Sequence, residues 1–187
     1  MNILEYKEKY IDNNSCPPGE HHFVAVYLLN KFKGFVPDYI NPDGEKNIPG
    51  DIVFYNDKKN KSISFEVKVS KKNKKSFTFT AKQFNEWFVS EKKIPDYLIA
   101  LTQNCLFFID FPSFIKEYKK GKGKEIKQIF DKKKKNSSTF NEACLKRYCS
   151  NEEVIELVGE NVSKKDINQK IDAVFAKFHG EIENVYK

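Results

Sequence analysis

The sequence "KSISFEVKVS" (residues 61–70) decides how the rest of the chain is interpreted. Its apolar residues Phe65 and Val67 alternate with Glu66 and Lys68, and a period of two is typical of a β-strand with two different faces. Glu66 and Lys68 therefore leave the same face side by side. Two interpretations stay open here. The pair is either a solvent-facing ion pair, worth about 0.5 kcal/mol, or part of a functional site.

The preceding strand, "DIVFY" (residues 51–55), is predicted to form a hairpin with this one across a polar turn. A turn centred between Lys58 and Lys59 pairs residues whose numbers add up to about 117, which brings Asp51 opposite Glu66. Two carboxylates that close raise each other's pKa unless a cation lies between them. Mg²⁺ accepts such ligands and adds phosphate oxygens of a substrate. Lysine beside the ion can stabilise phosphate charge, so the hairpin predicts a site for phosphodiester hydrolysis.

The pattern of Gly50-Asp51 followed by Glu66-Val67-Lys68 resembles the PD-(D/E)xK nuclease superfamily, which includes type II restriction endonucleases and Holliday-junction resolvases. The resemblance covers residues 20–111. It implies an α/β fold with a restriction-endonuclease-like αβββαβ core, a mixed sheet flanked by helices. It also implies Asp51 and Glu66 as metal ligands, Lys68 as the catalytic lysine and Mg²⁺ as the cofactor, with Mn²⁺ as a substitute.

The same resemblance implies two more catalytic residues. Glu20, on the first core helix, is expected as a further metal ligand, although it could instead complement the positive end of its helix. Gln83, on the helix after the lysine strand, is expected to position the site. Asp38 and Asp43 compete with Asp51 because each follows a proline, but only Asp51 adjoins the strand that pairs with Glu66. His21 and His22 are expected to have structural or surface roles.

The charge is uneven along the chain. The 187 residues carry a net charge of +7, but residues 57–147 alone carry 23 basic and 10 acidic side chains. Such a basic segment is typical of a protein that binds a polyanion. We expect Lys71, Lys72, Lys74 and Lys75, directly after the lysine strand, to contact the DNA backbone; a solvated loop is the alternative. Only one of the 33 basic residues is arginine, the usual reader of guanine.

The remaining segments are predicted to be mostly helical. Helices are expected near the N-terminus, from Glu20 to Phe32 and after Thr80 as N-cap, followed by two apolar strands around "QN" at 103–104. The C-terminal part is expected to form helices near 112–118, 139–149, 151–159 and 164–178, with Gly180 ending the last. Residues 1–111 would then be the nuclease-like core, and residues 112–187 a helical extension packed on it that contacts DNA or dimerises.

The sequence argues against membrane, secreted and zinc-binding proteins. An apolar run long enough to span a bilayer and an N-terminal signal peptide are both missing, so we expect a cytoplasmic protein without a membrane partner. Cys16, Cys105, Cys144 and Cys149 are too scattered for a zinc site. We therefore expect a Mg²⁺-dependent DNA endonuclease of the restriction type, with a homodimer open. The alternatives are a resolvase of branched DNA, a non-catalytic nucleic-acid-binding module and a basic protein that binds an acidic partner.

Overall fold

A computed structural model describes residues 1–13, 19–40, 49–70, 74–122, 137–160 and 162–187. It has a mixed β-sheet between two layers of helices, so the predicted α/β class is confirmed. The strands, in chain order, are β1 Tyr39–Ile40, β2 Ile52–Asn56, β3 Lys61–Val69, β4 Ser76–Thr80, β5 Tyr97–Leu101, β6 Cys105–Asp110, β7 Ser137–Asn141 and β8 Val154–Glu156.

In the part of the chain that the structure describes, the main sheet has six strands in the order β1-β2-β3-β5-β6-β8. Only β3 and β5 run parallel, and every other neighbouring pair is antiparallel. The strands β4 and β7 lie outside this sheet and pair antiparallel with each other as a two-stranded ribbon. Strands β1, β2 and β3 and the later strand β5 are all members of the main sheet, in agreement with the predicted αβββαβ order, and the ribbon is an addition to it.

Six helices accompany the strands within the described residues. They are α1 (Ile3–Tyr6, continued as a π-helix over Lys7–Asp12), α2 (Glu20–Phe23, Val24–Leu28 and Leu29–Lys31 in succession), α3 (Ala81–Phe84 and Asn85–Val89), α4 (Phe111–Lys122), α5 (Glu142–Tyr148) and α6 (Lys164–Tyr186). Thr80 caps α3 as predicted, because its hydroxyl accepts the Gln83 N–H. Among the described residues, no helix combines the length and the apolar character needed to cross a membrane.

The hairpin register agrees with the prediction. Ile52 pairs with Phe65 and Asn56 pairs with Lys61. Because β2 begins at Ile52, β3 has this neighbour only as far as Phe65, whereas β5 accompanies it on its other side from Phe65 to Val69. Beyond Phe65, the β2 side of β3 is therefore a gap in the described part of the sheet.

The two faces of the sheet bury separate apolar clusters. The face that carries Phe65, Val67 and Val69 packs against α1, α2 and α6. The opposite face carries Leu98 and Ala100, and it packs against the ribbon and against α3, α4 and α5. Since neighbours in β3 point to opposite faces, Glu66 and Lys68 project into this second layer.

Three C-terminal predictions are wrong. Residues 151–159 contain a 3₁₀ turn and strand β8 instead of a helix, because Val154 and Ile155 extend the sheet beside β6. The helix expected at 139–149 starts only at Glu142, after strand β7. The last helix continues through Gly180 to Tyr186, because Ile182 and Val185 prolong its buried stripe.

Candidate active site

Glu66 and Lys68 form a buried ion pair. The Lys68 Nζ lies 2.6 Å from Glu66 Oε1, and the two residues are 7% and 2% exposed, Lys68 being the more accessible. A solvent-facing pair is thereby excluded. Removing two charges from water costs several kcal/mol per ion, so stability alone is a poor reason to bury this pair.

Asp51 lies against Glu66 because two hydrogen bonds hold it to β3. Its backbone N–H donates to the Phe65 carbonyl at 2.7 Å, and its Oδ2 accepts the Val67 N–H at 2.8 Å. The two β3 partners flank Glu66, so the Asp51 carboxylate occupies the gap left by β2. Gly50 makes this approach feasible: its φ is +86°, and a Cβ there would lie 2.7 Å from the Phe65 oxygen.

Gln83 connects the first turn of α3 to Glu66. Its Oε1 accepts the Thr80 N–H at 3.1 Å, which completes a capping box, and its Nε2 donates to Glu66 Oε1 at 2.8 Å. The capping bond points the carbonyl towards Thr80 and so leaves the NH₂ group facing Glu66. A residue that stabilises the helix start therefore also orients the buried carboxylate.

Glu20 approaches the same group of side chains from the other helix layer. It is the first residue of α2, and its Oε1 lies 4.0 Å from Lys68 Nζ with 36% of its side chain exposed. The gap in the sheet beside Glu66 explains how a residue on α2 reaches Lys68. Its place at the helix start also suits a carboxylate that complements the helix dipole.

The electrostatics of the cluster depend on burial. Burial and the neighbouring Asp51 carboxylate raise the pKa of Glu66 to about 8. Burial likewise raises the pKa of Asp51 above its usual range, although Lys68 opposes this. Burial alone would lower the pKa of Lys68, but Glu66, Asp51 and Glu20 outweigh it and raise that pKa. The ammonium of Lys68 is thus held charged among three carboxylates.

The carboxylates suit a hard divalent cation by donor type. Asp51 and Glu66 supply buried oxygens, and Mg²⁺ is commonly held by one or two carboxylates plus water and phosphate oxygens. However, no group of three or more His, Cys, Asp or Glu side chains in the described ranges forms a ready-made metal cage. The Glu20 carboxylate lies 4.0 Å from Lys68 Nζ, and its expected role as a third metal ligand stays a prediction.

The competing residues lie elsewhere or have structural partners. Asp38 accepts hydrogen bonds from the Tyr55 N–H and the Tyr186 hydroxyl, both at 2.7 Å, so its carboxylate is used at the β1–β2 edge. Asp43 lies outside the described residues.

The two adjacent histidines lie in the first turn of α2. His22 Nδ1 lies 2.7 Å from the Tyr6 hydroxyl and has a structural role. His21 is exposed.

The lysines expected to contact DNA are described in part. Lys74 and Lys75 are exposed just before β4, whereas Lys71 and Lys72, like Cys16, lie outside the described residues. Sequence alone did not indicate Phe79. Its ring centroid lies 5.9 Å from Lys68 Nζ, so the ring forms one wall of the candidate site. The alternation of "SFTFT" at 76–80 was the available signal, because it points Phe79 inward.

Comparison with known proteins finds a family model that matches part of the chain. Residues 20–110 match the family model described as "Protein NO VEIN, C-terminal". No curated protein and no solved structure matches the chain. The matched segment starts at Glu20 and contains Asp51, Glu66, Lys68 and Gln83. It thus coincides with the segment that resembles PD-(D/E)xK nucleases, although its description names no activity.

Proposed function

We propose that this chain is a metal-dependent deoxyribonuclease that hydrolyses phosphodiester bonds, most consistent with a restriction-type endonuclease. One observation carries the proposal. Asp51, Glu66 and Lys68, which come from separate positions of a hairpin, meet in a gap of the sheet, where Gln83 and Glu20 join them. Burying this many charges is unfavourable for folding, so a catalytic use is the better explanation.

Each side chain of the candidate site has a different role in the proposed hydrolysis. Asp51 and Glu66 would hold Mg²⁺ or Mn²⁺, and the bound ion would activate a water and neutralise phosphate charge. Lys68 keeps its proton and places a positive charge where phosphate oxygens would gain negative charge. Gln83 fixes the orientation of the Glu66 carboxylate through its amide. Glu20, at the exposed rim, adds negative charge that favours a cation.

DNA is the substrate that the charge distribution favours. Residues 57–147, which include Glu66 and Lys68, carry a balance of +13 against −3 for each flanking segment. Lys74 and Lys75 are exposed next to the ribbon and can contact phosphates. Cutting both strands of a duplex usually takes two active sites, which favours a homodimer.

A resolvase of branched DNA is the second candidate. It is favoured by the single arginine, Arg147, among 33 basic residues, because lysine acts mainly as a point charge and reads bases poorly. Such a protein would select DNA by shape rather than by sequence. The substrate preference in a cleavage assay separates these two candidates.

The test is cleavage of supercoiled plasmid and four-way-junction DNA with Mg²⁺ or with EDTA. We expect cleavage by the wild type only with Mg²⁺, and a loss of about 10²-fold or more for Glu66→Ala and Lys68→Ala. Lys61→Ala, an exposed lysine at the start of the same strand, is the matched control and should cleave normally. Cleavage that persists in both site variants would refute the site, and DNA binding without any cleavage would favour a non-catalytic module.

A further inference from the structure

The ribbon of β4 and β7 presents a polar outer surface. Phe77 and Phe140, which pair across its strands, are buried against the second core cluster. The alternate residues point outward, and Thr78 and Thr139 are paired and exposed, with their hydroxyl oxygens 3.3 Å apart. We call the outward residues the ribbon face: Ser76, Thr78, Thr80, Thr139 and Asn141.

We propose that the ribbon face binds the sugar–phosphate backbone of a DNA duplex. The inference rests on the proposed function and adds where its substrate binds. A two-stranded ribbon is narrow enough to follow a DNA groove. Neutral hydroxyl and amide groups donate hydrogen bonds to phosphate oxygens.

The charge around the ribbon face is complementary to DNA. Neither residues 74–82 nor residues 138–141 contain an Asp or a Glu, while Lys74, Lys75 and Lys82 are exposed at the two ends of β4. The first acidic residue after β7, Glu142, is only 8% exposed. It turns inward and accepts hydrogen bonds from Thr102 at 2.7 Å and from Asn104 at 3.0 Å. Its charge is thereby removed from the surface beside the ribbon.

The ribbon is also tied to the candidate active site at both ends of β4. At its start, the Ser70 hydroxyl donates to the Ser76 carbonyl at 2.7 Å, and Ser70 follows directly on β3. At its end, Thr80 forms the capping box with Gln83, whose amide contacts Glu66. Inside the ribbon, Phe79 lies against Lys68. DNA held by the ribbon face would therefore be fixed relative to the catalytic carboxylates.

The contact should be independent of base sequence. The ribbon face contains only Ser, Thr and Asn, and its flanks contain lysine but no arginine. Side chains of this kind contact mainly the backbone, and lysine contributes a point charge rather than a bidentate contact to guanine. Two duplexes of unrelated sequence should thus lose affinity equally when the ribbon is changed.

The test measures binding of the full chain to a fluorescent DNA duplex by anisotropy in EDTA, so that cleavage does not interfere. We expect Lys74→Glu/Lys75→Glu to weaken binding at least tenfold and to lower the slope of log K against log salt by about 2, since each phosphate contact contributes about 0.9. Thr78→Glu/Thr139→Glu should also weaken it at least tenfold. Lys58→Glu/Lys59→Glu, in the exposed turn between β2 and β3, matches the first variant in charge and should weaken binding less than threefold.

A gain-of-affinity variant guards against loss through misfolding. Thr78→Lys/Thr139→Lys should bind the duplex more tightly than the wild type, which an unfolded ribbon would not do. Equal losses for the ribbon variants and for the Lys58/Lys59 control would overturn the inference while leaving the proposed function intact. A wild type that neither binds nor cleaves DNA would instead refute the proposed function.

Discussion

At the scale of single residues, Glu66 is a buried carboxyl group whose position is unfavourable for folding and therefore needs a functional explanation. It is buried beside a second carboxylate, and this raises its pKa to about 8. Lys68 and Gln83 satisfy it, but both contacts use the same oxygen, Oε1. Such strongly perturbed groups in clefts are more frequent at functional sites than elsewhere, which is why the burial of Glu66 supports the proposed chemistry.

The raised pKa of Glu66 predicts a dependence of stability on pH. Between its ordinary pKa of 4.5 and about 8, the folded state binds more protons than the unfolded state, so the free energy of unfolding decreases as pH rises. Glu66→Gln mimics the protonated form and keeps an acceptor for Gln83. We therefore expect this variant to become more stable relative to the wild type as pH rises through that range.

Urea unfolding in EDTA, at several pH values from about 5 to about 8, checks this expectation. Glu8→Gln, which changes an exposed carboxylate on α1, is the matched control and should run parallel to the wild type. A difference between Glu66→Gln and the wild type that stays constant with pH would contradict the raised pKa.

The positions of Asp51 and Glu66 could be predicted from the sequence because they depend on the local pairing of β2 with β3. The alternation of β3 placed Glu66 and Lys68 on one face, and the turn position placed Asp51 opposite them. The depth of burial was not predictable, because it depends on α3 and on the ribbon, which join the site from distant positions. The same is true of Glu20, whose contact with Lys68 requires a gap in the sheet that no local pattern indicates.

At the scale of elements, the turn into β2 controls where Asp51 lies. Gly50 and Gly34 both have a positive φ, of +86° and +96°, but only Gly50 lacks space for a side chain. A Cβ at Gly50 would lie 2.7 Å from the oxygen and 2.9 Å from the carbon of the Phe65 carbonyl, whereas a Cβ at Gly34 would meet nothing within 4 Å. A comparison of substitutions at the two glycines therefore separates the effect of backbone strain from the effect of a close contact.

We expect Gly34→Ala to lower the free energy of unfolding by about 1–2 kcal/mol, because its backbone conformation is strained for alanine. Gly50→Ala should cost at least about 1 kcal/mol more and should also impair cleavage, since β2 must move away from β3 and take Asp51 with it. Chemical unfolding and plasmid cleavage of both variants measure the two effects. Equal losses of stability, with cleavage intact in both, would show that the contact with Phe65 does not position Asp51.

The element-scale errors have a common physical cause. Residues 151–159 contain "EEVIEL", which fits a helix as well as a strand when read alone. The edge of β6 decides in favour of the strand, because it offers hydrogen bonds that Val154 and Ile155 can complete. Strand β7 likewise depends on its pairing with β4. Both strands are set by long-range partners, so local periodicity could not identify them.

At the scale of the whole molecule, the two faces of the sheet serve different purposes. One face, with Phe65 and Val67, is sealed by α6, whose Phe178 packs on the Phe65 ring at 5.1 Å between centroids. The other face holds the charged site under α3 and the ribbon. We expect the apolar layer behind β3 to hold the buried charges in place, because side chains in a close-packed core have little freedom to move.

This arrangement predicts that the segment matched by the family model does not fold alone. A fragment of residues 19–110 lacks Phe175, Phe178 and Ile182 on one face and Phe114 and Phe140 on the other. It would expose both sides of the sheet, so we expect no cooperative unfolding transition and poorly dispersed amide NMR signals. The full chain should show one transition, and the division into residues 1–111 and 112–187 would then mark no folding boundary.

Full-length Phe178→Ala is the control that links this prediction to the packing of α6. We expect it to remain folded but to lose about 3–5 kcal/mol of stability, as is usual when a buried phenylalanine is truncated. If the fragment instead unfolded cooperatively and Phe178→Ala cost little, α6 would be an appendage rather than part of the core. The Glu66 site would then have to be held by residues 20–110 alone, without the apolar layer behind β3.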